Sequence, residues 1–269
     1  GYGCLLGVGK GSVNPPRLIK IDYLKNPDKK TTIGLVGKSI TFDSGGICIK
    51  PRKDMDIMIS DMSGGAALLG AYYFIAALQL PINAVFVLPA ADNLPSGSAF
   101  KPGDILISKS GRTVLIKDTD SEGRVTLADG ITAAVEAGVN AIVCVATLSG
   151  LTAMLFGEYF APITSDNDDL SDLFTAAAEK VGEPLWRLPY ISERPKETKS
   201  KVADVSNGER GTVFINGFAA GLPWAFVDIA GTAWTSKTEG IYCEGGTGTM
   251  VKTLAELLER FFAKKSPAM

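Results

Sequence analysis

The chain has 269 residues, 46% of them hydrophobic, and sets 27 Lys and Arg against 29 Asp and Glu, a formal net charge of −2. That length can bury one large core, and the near-balanced charge gives no electrostatic reason to expect nucleic acid or an anionic membrane as a partner. Histidine is absent, which excludes Ser-His-Asp and Cys-His catalysis, HExxH zinc peptidases and His-bound structural zinc.

The four cysteines (Cys4, Cys48, Cys144 and Cys243) are scattered, with no CxxC pair. They read as reduced, mostly buried thiols of a cytoplasmic protein. Any metal must therefore be held mainly by carboxylate oxygens, with a lysine nitrogen as a further donor. Such a site suits Mn, Mg or Zn. The chain starts at Gly1, without a methionine or a charged-then-apolar leader, and reads as a fragment or a trimmed form.

The first 20 residues are glycine-rich and predict a loop feeding a strand near Leu18–Tyr23. Gly9-Lys10-Gly11-Ser12 is not a phosphate loop, because the required upstream glycine is Cys4. Thr31–Gly37 predicts a buried strand. Gly37-Lys38-Ser39 fails the phosphate-loop pattern as well, with Thr32 in the glycine position. Thr41-Phe-Asp43-Ser-Gly-Gly46 sets an acid beside paired glycines, and Ile47-Cys-Ile-Lys50 is a short alternating piece. Lys53, Asp54 and Asp56 read as solvated loop charges.

No charge occurs between Asp61 and Asp92. A membrane span needs roughly 20 uninterrupted apolar residues, and Gln79, Pro81 and Asn83 break this run. It therefore predicts a buried helix over Gly65–Gln79 and a buried strand over Ala84–Pro89. Asn93-Leu-Pro-Ser-Gly97 and Lys101-Pro-Gly-Asp104 read as turns. Ile105–Ser108 and Thr113–Lys117 flank Lys109-Ser-Gly-Arg112 as a hairpin.

Lys117-Asp118-Thr119-Asp120-Ser121-Glu122-Gly123-Arg124 concentrates three carboxylates, two hydroxyls and an arginine between a β-like run and a helix-like run. Side chains at such a junction converge readily on a shared pocket. In extended backbone Asp120 and Glu122 would point to the same side. A plainer reading stands beside this one: Thr119-x-x-Glu122 fits a helix capping box. Against it, Gly123 is a poor residue for a first helical turn, and three close acids repel unless a cation joins them.

Further on, Val125–Ala137 predicts a helix closed by Gly138, Ala141–Ala146 a strand, and Asp168–Val181 an amphipathic helix. Pro184–Asp204 is poorly patterned, and Asn207-Gly208 marks a turn. Thr212–Ala220 predicts a helix, Trp224–Ile229 a strand, and Thr249–Ala263 a closing helix with apolar spacing at Val251, Leu254, Leu257, Leu258 and Phe261. Alternating strands and helices indicate an α/β fold, three layers with a central mixed, largely parallel sheet flanked by helices. Residues 1–269 read as one catalytic unit. Lys38, Asp43, Asp61, Asp120, Glu122 and Arg124 all lie near predicted strand ends or helix starts. A lysine and four carboxylates converging there would make a two-metal site. Taken singly, Lys38 and Lys50 also fit surface cations, and Asp43 and Asp61 fit turn or cap residues.

Val36-Gly-Lys38-Ser-Ile-Thr-Phe-Asp43-Ser-Gly-Gly46, Lys50-Pro51, Ser60-Asp61-Met62, Asn93-Leu-Pro-Ser-Gly97, Lys101-Pro-Gly-Asp104, Thr119-Asp120-Ser-Glu122-Gly-Arg124, Ala146-Thr147-Leu148 and the run from Trp224 to Trp234 occur in this order. Together they resemble the leucyl aminopeptidase (cytosol aminopeptidase) family, over nearly the whole chain.

The resemblance implies a zinc-dependent exopeptidase-like fold and a di-metal aminopeptidase, with two divalent ions (Zn or Mn, Mg also fitting) held by Lys38, Asp43, Asp61, Asp120 and Glu122. Asp43 and Glu122 would touch both ions. Lys50 would bind the substrate carbonyl and its oxyanion. Arg124 would hold a bicarbonate acting as general base toward a water bridging the metals. Met58, Asp118, Thr147, Leu148 and Gly150 would bind the substrate, a peptide with a free amino terminus and preferably leucine or another apolar first residue.

Asp118 and Ser121 depart from the residues common in the family, Asn and Ala, and Phe226 stands where the family often has His. The family's amino-terminal domain, which supports a hexamer, has no counterpart in this chain. The alternative reading is a DNA-binding or structural hexamer component without peptidase activity.

Overall fold

The structure is a computed structural model and describes residues 1–191, 198–208 and 211–263. In chain order the strands are β1 (Arg17–Leu24), β2 (Ile33–Gly37), β3 (Ser39–Asp43), β4 (Asn83–Asn93), β5 (Ile105–Ile107), β6 (Thr113–Leu115) and β7 (Ala141–Ala146). They continue with β8 (Ala161–Ser165), β9 (Leu185–Arg187), β10 (Val205–Ser206), β11 (Trp224–Asp228), β12 (Trp234–Thr235) and β13 (Gly245–Gly246). The helices are α1 (Gly3–Val8), α2 (Ser63–Ala77), α3 (Glu122–Glu136), α4 (Gly150–Phe156), α5 (Asp168–Val181), α6 (Gly211–Asn216) and α7 (Val251–Ala263).

The main sheet runs β1-β4-β2-β7-β11-β8-β9, with β3 added to the far end of β4. Only the β1–β4 and β11–β8 pairs are antiparallel. The other pairs are parallel, so the sheet is mixed and largely parallel as expected. Both faces are covered. Along β7, Ala141, Val143 and Val145 enter one core with α2, α5 and α7. Ile142, Cys144 and Ala146 enter a second core with α1, α3 and α6. A strand buried on both faces must read as a continuous apolar run, and β7 does, all six residues being buried. Among the described residues no helix is long and apolar enough to cross a membrane.

Four expectations need correcting. The glycine-rich start is not a loop: Gly3–Val8 is a helix followed by a short 3₁₀ turn. Glycines hid its pattern, but Cys4, Leu5 and Val8 form a buried face. Asp129, inside α3, accepts the Leu5 N–H at 2.9 Å and supplies the cap the helix lacks locally. The strand expected at Ala84–Pro89 runs on to Asn93, because β3 pairs its last turn-like residues in parallel. Asn93 is therefore a strand end rather than the start of a turn.

The helix expected over Thr212–Ala220 stops at Asn216, before Ala220 at φ +54°. The short α4 and β8 carried no clear periodic signal and were not expected at all. Part of the poorly patterned Pro184–Asp204 stretch, residues 192–197, lies outside the described residues.

Candidate metal centre

In an open α/β sheet, side chains gather where parallel strands end. Here β2 ends beside Lys38, β3 at Asp43, β4 at Asn93, β7 beside Thr147 and β11 at Asp228. Asp61 ends the 3₁₀ turn two residues before α2, and Glu122 is the first residue of α3. The approach of α2 depends on Gly64: a Cβ there would lie 2.2 Å from the Val145 carbonyl oxygen of β7. Without a side chain at that point, the Gly65 N–H reaches the Lys38 carbonyl at 2.8 Å and brings Asp61 over the sheet edge.

The 118–124 stretch is not extended. Thr119–Ser121 forms a 3₁₀ turn that runs into α3, so the expected period-two alignment of Asp120 and Glu122 does not apply. Their carboxylates converge all the same: one oxygen each from Asp43, Asp120 and Glu122 lie within 4.8 Å of one another. The capping-box reading fails. Thr119 does not cap α3; its hydroxyl donates to the Gly45 carbonyl at 2.7 Å and accepts the Cys48 N–H at 2.8 Å. It thereby binds the loop that carries Lys50. The turn is closed by Asp118, whose oxygens accept the Asp120 N–H at 2.9 Å and the Ser121 hydroxyl at 3.1 Å.

Two ammonium groups thread the carboxylates. Lys38 Nζ lies 2.7 Å from Asp61 and 2.8 Å from Glu122, and donates to the Thr147 carbonyl at 2.9 Å. Lys50 Nζ lies 2.8 Å from Asp43 and 2.5 Å from Asp120. The Thr147 hydroxyl donates to Asp61 at 2.5 Å. Burial pulls both lysines down, but the carboxylates outweigh it and raise them: Asp61, Glu122 and Asp43 for Lys38, Asp43 and Asp120 for Lys50. Burial is also the largest influence on Asp61, pushing its carboxyl up to about 8 against the pull of Lys38, with Glu122 and Asp43 adding to the rise. Burial likewise raises Asp120, to about 6.

This donor set fits divalent cations. Four carboxylates face two ammonium groups, so the buried cluster keeps an excess of two negative charges when all are ionised. Oxygens of Asp61 and Asp120 are buried without a hydrogen-bond partner, having only the ionic contact with a lysine. Such a cluster is stable when further positive charge enters it. Hard oxygen donors suit Mn, Zn or Mg, and Lys38 joins them as a nitrogen donor only as the neutral amine, its proton displaced by the entering cation.

Gly123 has its reason here. A Cβ on it would lie 2.6 Å from Lys38 Cε, and Lys38 is held at its tip by three partners. Gly123→Ala is expected to cost about 1–3 kcal/mol by overpacking and to weaken metal binding. Denaturant unfolding with a metal titration checks both.

The remaining expected residues lie on the chain segments that adjoin this cluster. Arg124 donates to the Asn207 carbonyl at 2.9 Å, and burial lowers its pKa against the pull of Glu122, Asp118 and Asp228. Met58 is half-buried in the 3₁₀ turn that precedes Asp61. Leu148 packs against the second core, and Gly150 opens α4.

Three supporting residues were not legible beforehand. Asn93 sits at the centre of the cluster. Asn207, read only as a turn, accepts the N–H groups of Lys117 and Asp118 at 2.8 and 3.3 Å and donates to the Asp118 carbonyl at 2.6 Å. Asp228 accepts the N–H groups of Leu148 and Ala230 at 3.0 and 3.1 Å, fixing the loop after β7.

Burial raises Asp228 to about 6, against those N–H groups, the Thr152 hydroxyl and Lys38. A raised carboxyl means the folded chain holds the proton more tightly than the unfolded one. Its contribution is therefore present at low pH and is lost as pH rises from about 4 to about 6, by up to about 3 kcal/mol. Asp228→Asn is expected to flatten the stability profile across that window relative to wild type, which denaturant unfolding at a series of pH values reads.

The chain matches the catalytic domain of the cytosol aminopeptidase family over residues 1–255. It belongs to that family. It is 45% identical over 266 residues to the probable cytosol aminopeptidase of Alkaliphilus oremlandii, covering 96% of this chain and 53% of that protein. It is 43% identical over 267 residues to the probable cytosol aminopeptidase of Syntrophotalea carbinolica, covering 97% and 54%. The chain thus spans about half the length of these curated relatives. Among solved structures it is similar to the bottromycin maturation enzyme BotP in complex with Mn, with a TM-score of 0.90, 36% identity, and coverage of 96% of this chain and 59% of that one.

Proposed function

We propose that this member of the family is a metalloaminopeptidase that removes the first residue, preferably leucine or another apolar one, from peptides with a free amino terminus. The observation that carries this reading is the convergence of Asp43, Asp120 and Glu122 within 4.8 Å at the carboxyl edge of the sheet, beside Asp61 and Lys38. Lys38, Asp43, Asp61, Asp120 and Glu122 are the residues that would hold two divalent ions, manganese being supported by the Mn complex of the similar BotP, with zinc and magnesium as the other fits. Bound there, such ions supply polarisation of the scissile carbonyl and a lowered pKa for the attacking water.

The chain's own residues have distinct tasks in this reading. Lys50, anchored by Asp43 and Asp120, presents its ammonium to the carbonyl oxygen as negative charge develops on it. Arg124 would hold a bicarbonate, which when bound would supply the general base that a histidine supplies elsewhere. Met58 and Thr147 lie near the place of the first side chain, and Asp118, Leu148 and Gly150 take part in binding the substrate. We read residues 1–269 as the catalytic unit of a cytoplasmic homo-oligomer, a hexamer as in the family. The requirement for a free amine tests the reading: leucine amide should be hydrolysed and N-acetyl-leucine amide left intact. Equal turnover of the two would overturn an aminopeptidase assignment.

A further inference from the structure

Asn93 is wholly buried, at 0% exposure, and its side chain is the only uncharged one that touches two of the metal-holding carboxylates among the described residues. Its Nδ2 donates to Asp43 Oδ1 at 2.8 Å and to the Thr119 carbonyl at 2.9 Å, and approaches Glu122 Oε2 at 3.5 Å. Each of these carboxylates offers its other oxygen to a lysine: Asp43 Oδ2 to Lys50 and Glu122 Oε1 to Lys38. Asn93 therefore grips Asp43, and faces Glu122, on the side away from the positive charge.

The fold is built to put it there. β3 pairs β4 in parallel, and its register shifts between Ile40 and Phe42, so that Asp43 falls opposite Asn93. Without the shift Phe42 would take that place, because one residue of slip exchanges the neighbours along a strand. Asn93 is also the last residue of β4, where the strand meets the turn carrying Asp120.

We propose that Asn93 is a positioning residue for the metal centre, clamping Asp43 to the Thr119 carbonyl beside Glu122 in a geometry ready for cations. This rests on the metallopeptidase reading above. The chemistry selects a carboxamide. It gives two N–H donors without charge, whereas a lysine or arginine would repel an incoming cation and an aspartate could not donate. The fold accepts a cost for it, since Asn93 Oδ1 is buried without a hydrogen-bond partner among the described residues. Partners of this kind orient metal ligands, and their removal typically weakens metal binding about 10–100-fold.

The test compares wild type, Asn93→Leu (similar size, no donor) and Asn93→Ser (one donor on a shorter arm). Each is stripped with chelator, then titrated with Mn²⁺ by calorimetry well below its unfolding midpoint. The proposal expects Mn²⁺ affinity to fall about 10–100-fold in Asn93→Leu and by less in Asn93→Ser. A merely structural role would lower the unfolding midpoint and leave the affinity of the folded chain unchanged, and that result overturns the proposal. If Asn93→Leu does not fold, Asn93→Ser carries the same decision. Wild type that binds no Mn²⁺ at all would instead overturn the metallopeptidase reading.

Discussion

Glu122→Ala is expected to abolish the proposed peptide hydrolysis and to strip the centre of metal while leaving the fold standing. Glu122 opens α3 and is 1% exposed, with Oε1 on Lys38 and Oε2 toward Asn93. Its removal takes a donor from the middle of the cluster, so the loss of activity exceeds the roughly 100-fold that follows loss of an outer partner. The metal-free fold tolerates the change for an electrostatic reason. Lys38 keeps Asp61 and the Thr147 carbonyl, and the excess negative charge in the cluster falls by one. Metal-free Glu122→Ala is therefore expected to remain folded, which thermal unfolding checks. Lys50→Ala separates chemistry from assembly: hydrolysis is lost, on the order of 10²–10³-fold as for other oxyanion donors. Full activity in both variants would sink the mechanism.

Asp129→Ala is expected to destabilise the chain without touching the chemistry. Asp129 lies two turns down α3 from Glu122, fully buried, and accepts the Leu5 N–H at 2.9 Å and the Lys109 N–H at 2.7 Å. One carboxylate thus ties α1 and the β5–β6 hairpin to the core. Alanine leaves both donors unpaired, at about 1–3 kcal/mol each. The summed loss is roughly 2–6 kcal/mol, a drop of about 4–24 °C in midpoint. Asp129→Asn keeps an acceptor oxygen and costs less. Thermal unfolding with a metal titration at 20 °C checks the separation: the midpoint falls, and metal affinity of the folded chain holds.

Much of the architecture was readable because burial writes itself into simple patterns. β2 and β7 are buried on both faces and appear as unbroken apolar runs, and α5 carries its stop signal in Gly182 at φ +76°. What was not readable depends on distant partners. The α1 helix needs Asp129, more than 120 residues away, to satisfy its first turn. The extension of β4 to Asn93 needs β3 as a neighbour. At the site, the charged residues stood out because close acids without histidine demand a cation. Asn93 and Asn207 did not, because an asparagine close to a proline or a glycine reads first as a turn residue. Thr119 shows the opposite error: a local capping pattern was present, and a tertiary contact with Gly45 took the hydroxyl instead.

The most direct measurement is hydrolysis of leucine amide by chelator-treated protein across a Mn²⁺ and Zn²⁺ titration, with bound metal counted at each point. The account predicts no turnover in the stripped protein and recovery as two ions bind per chain. Absence of both turnover and bound metal would contradict it.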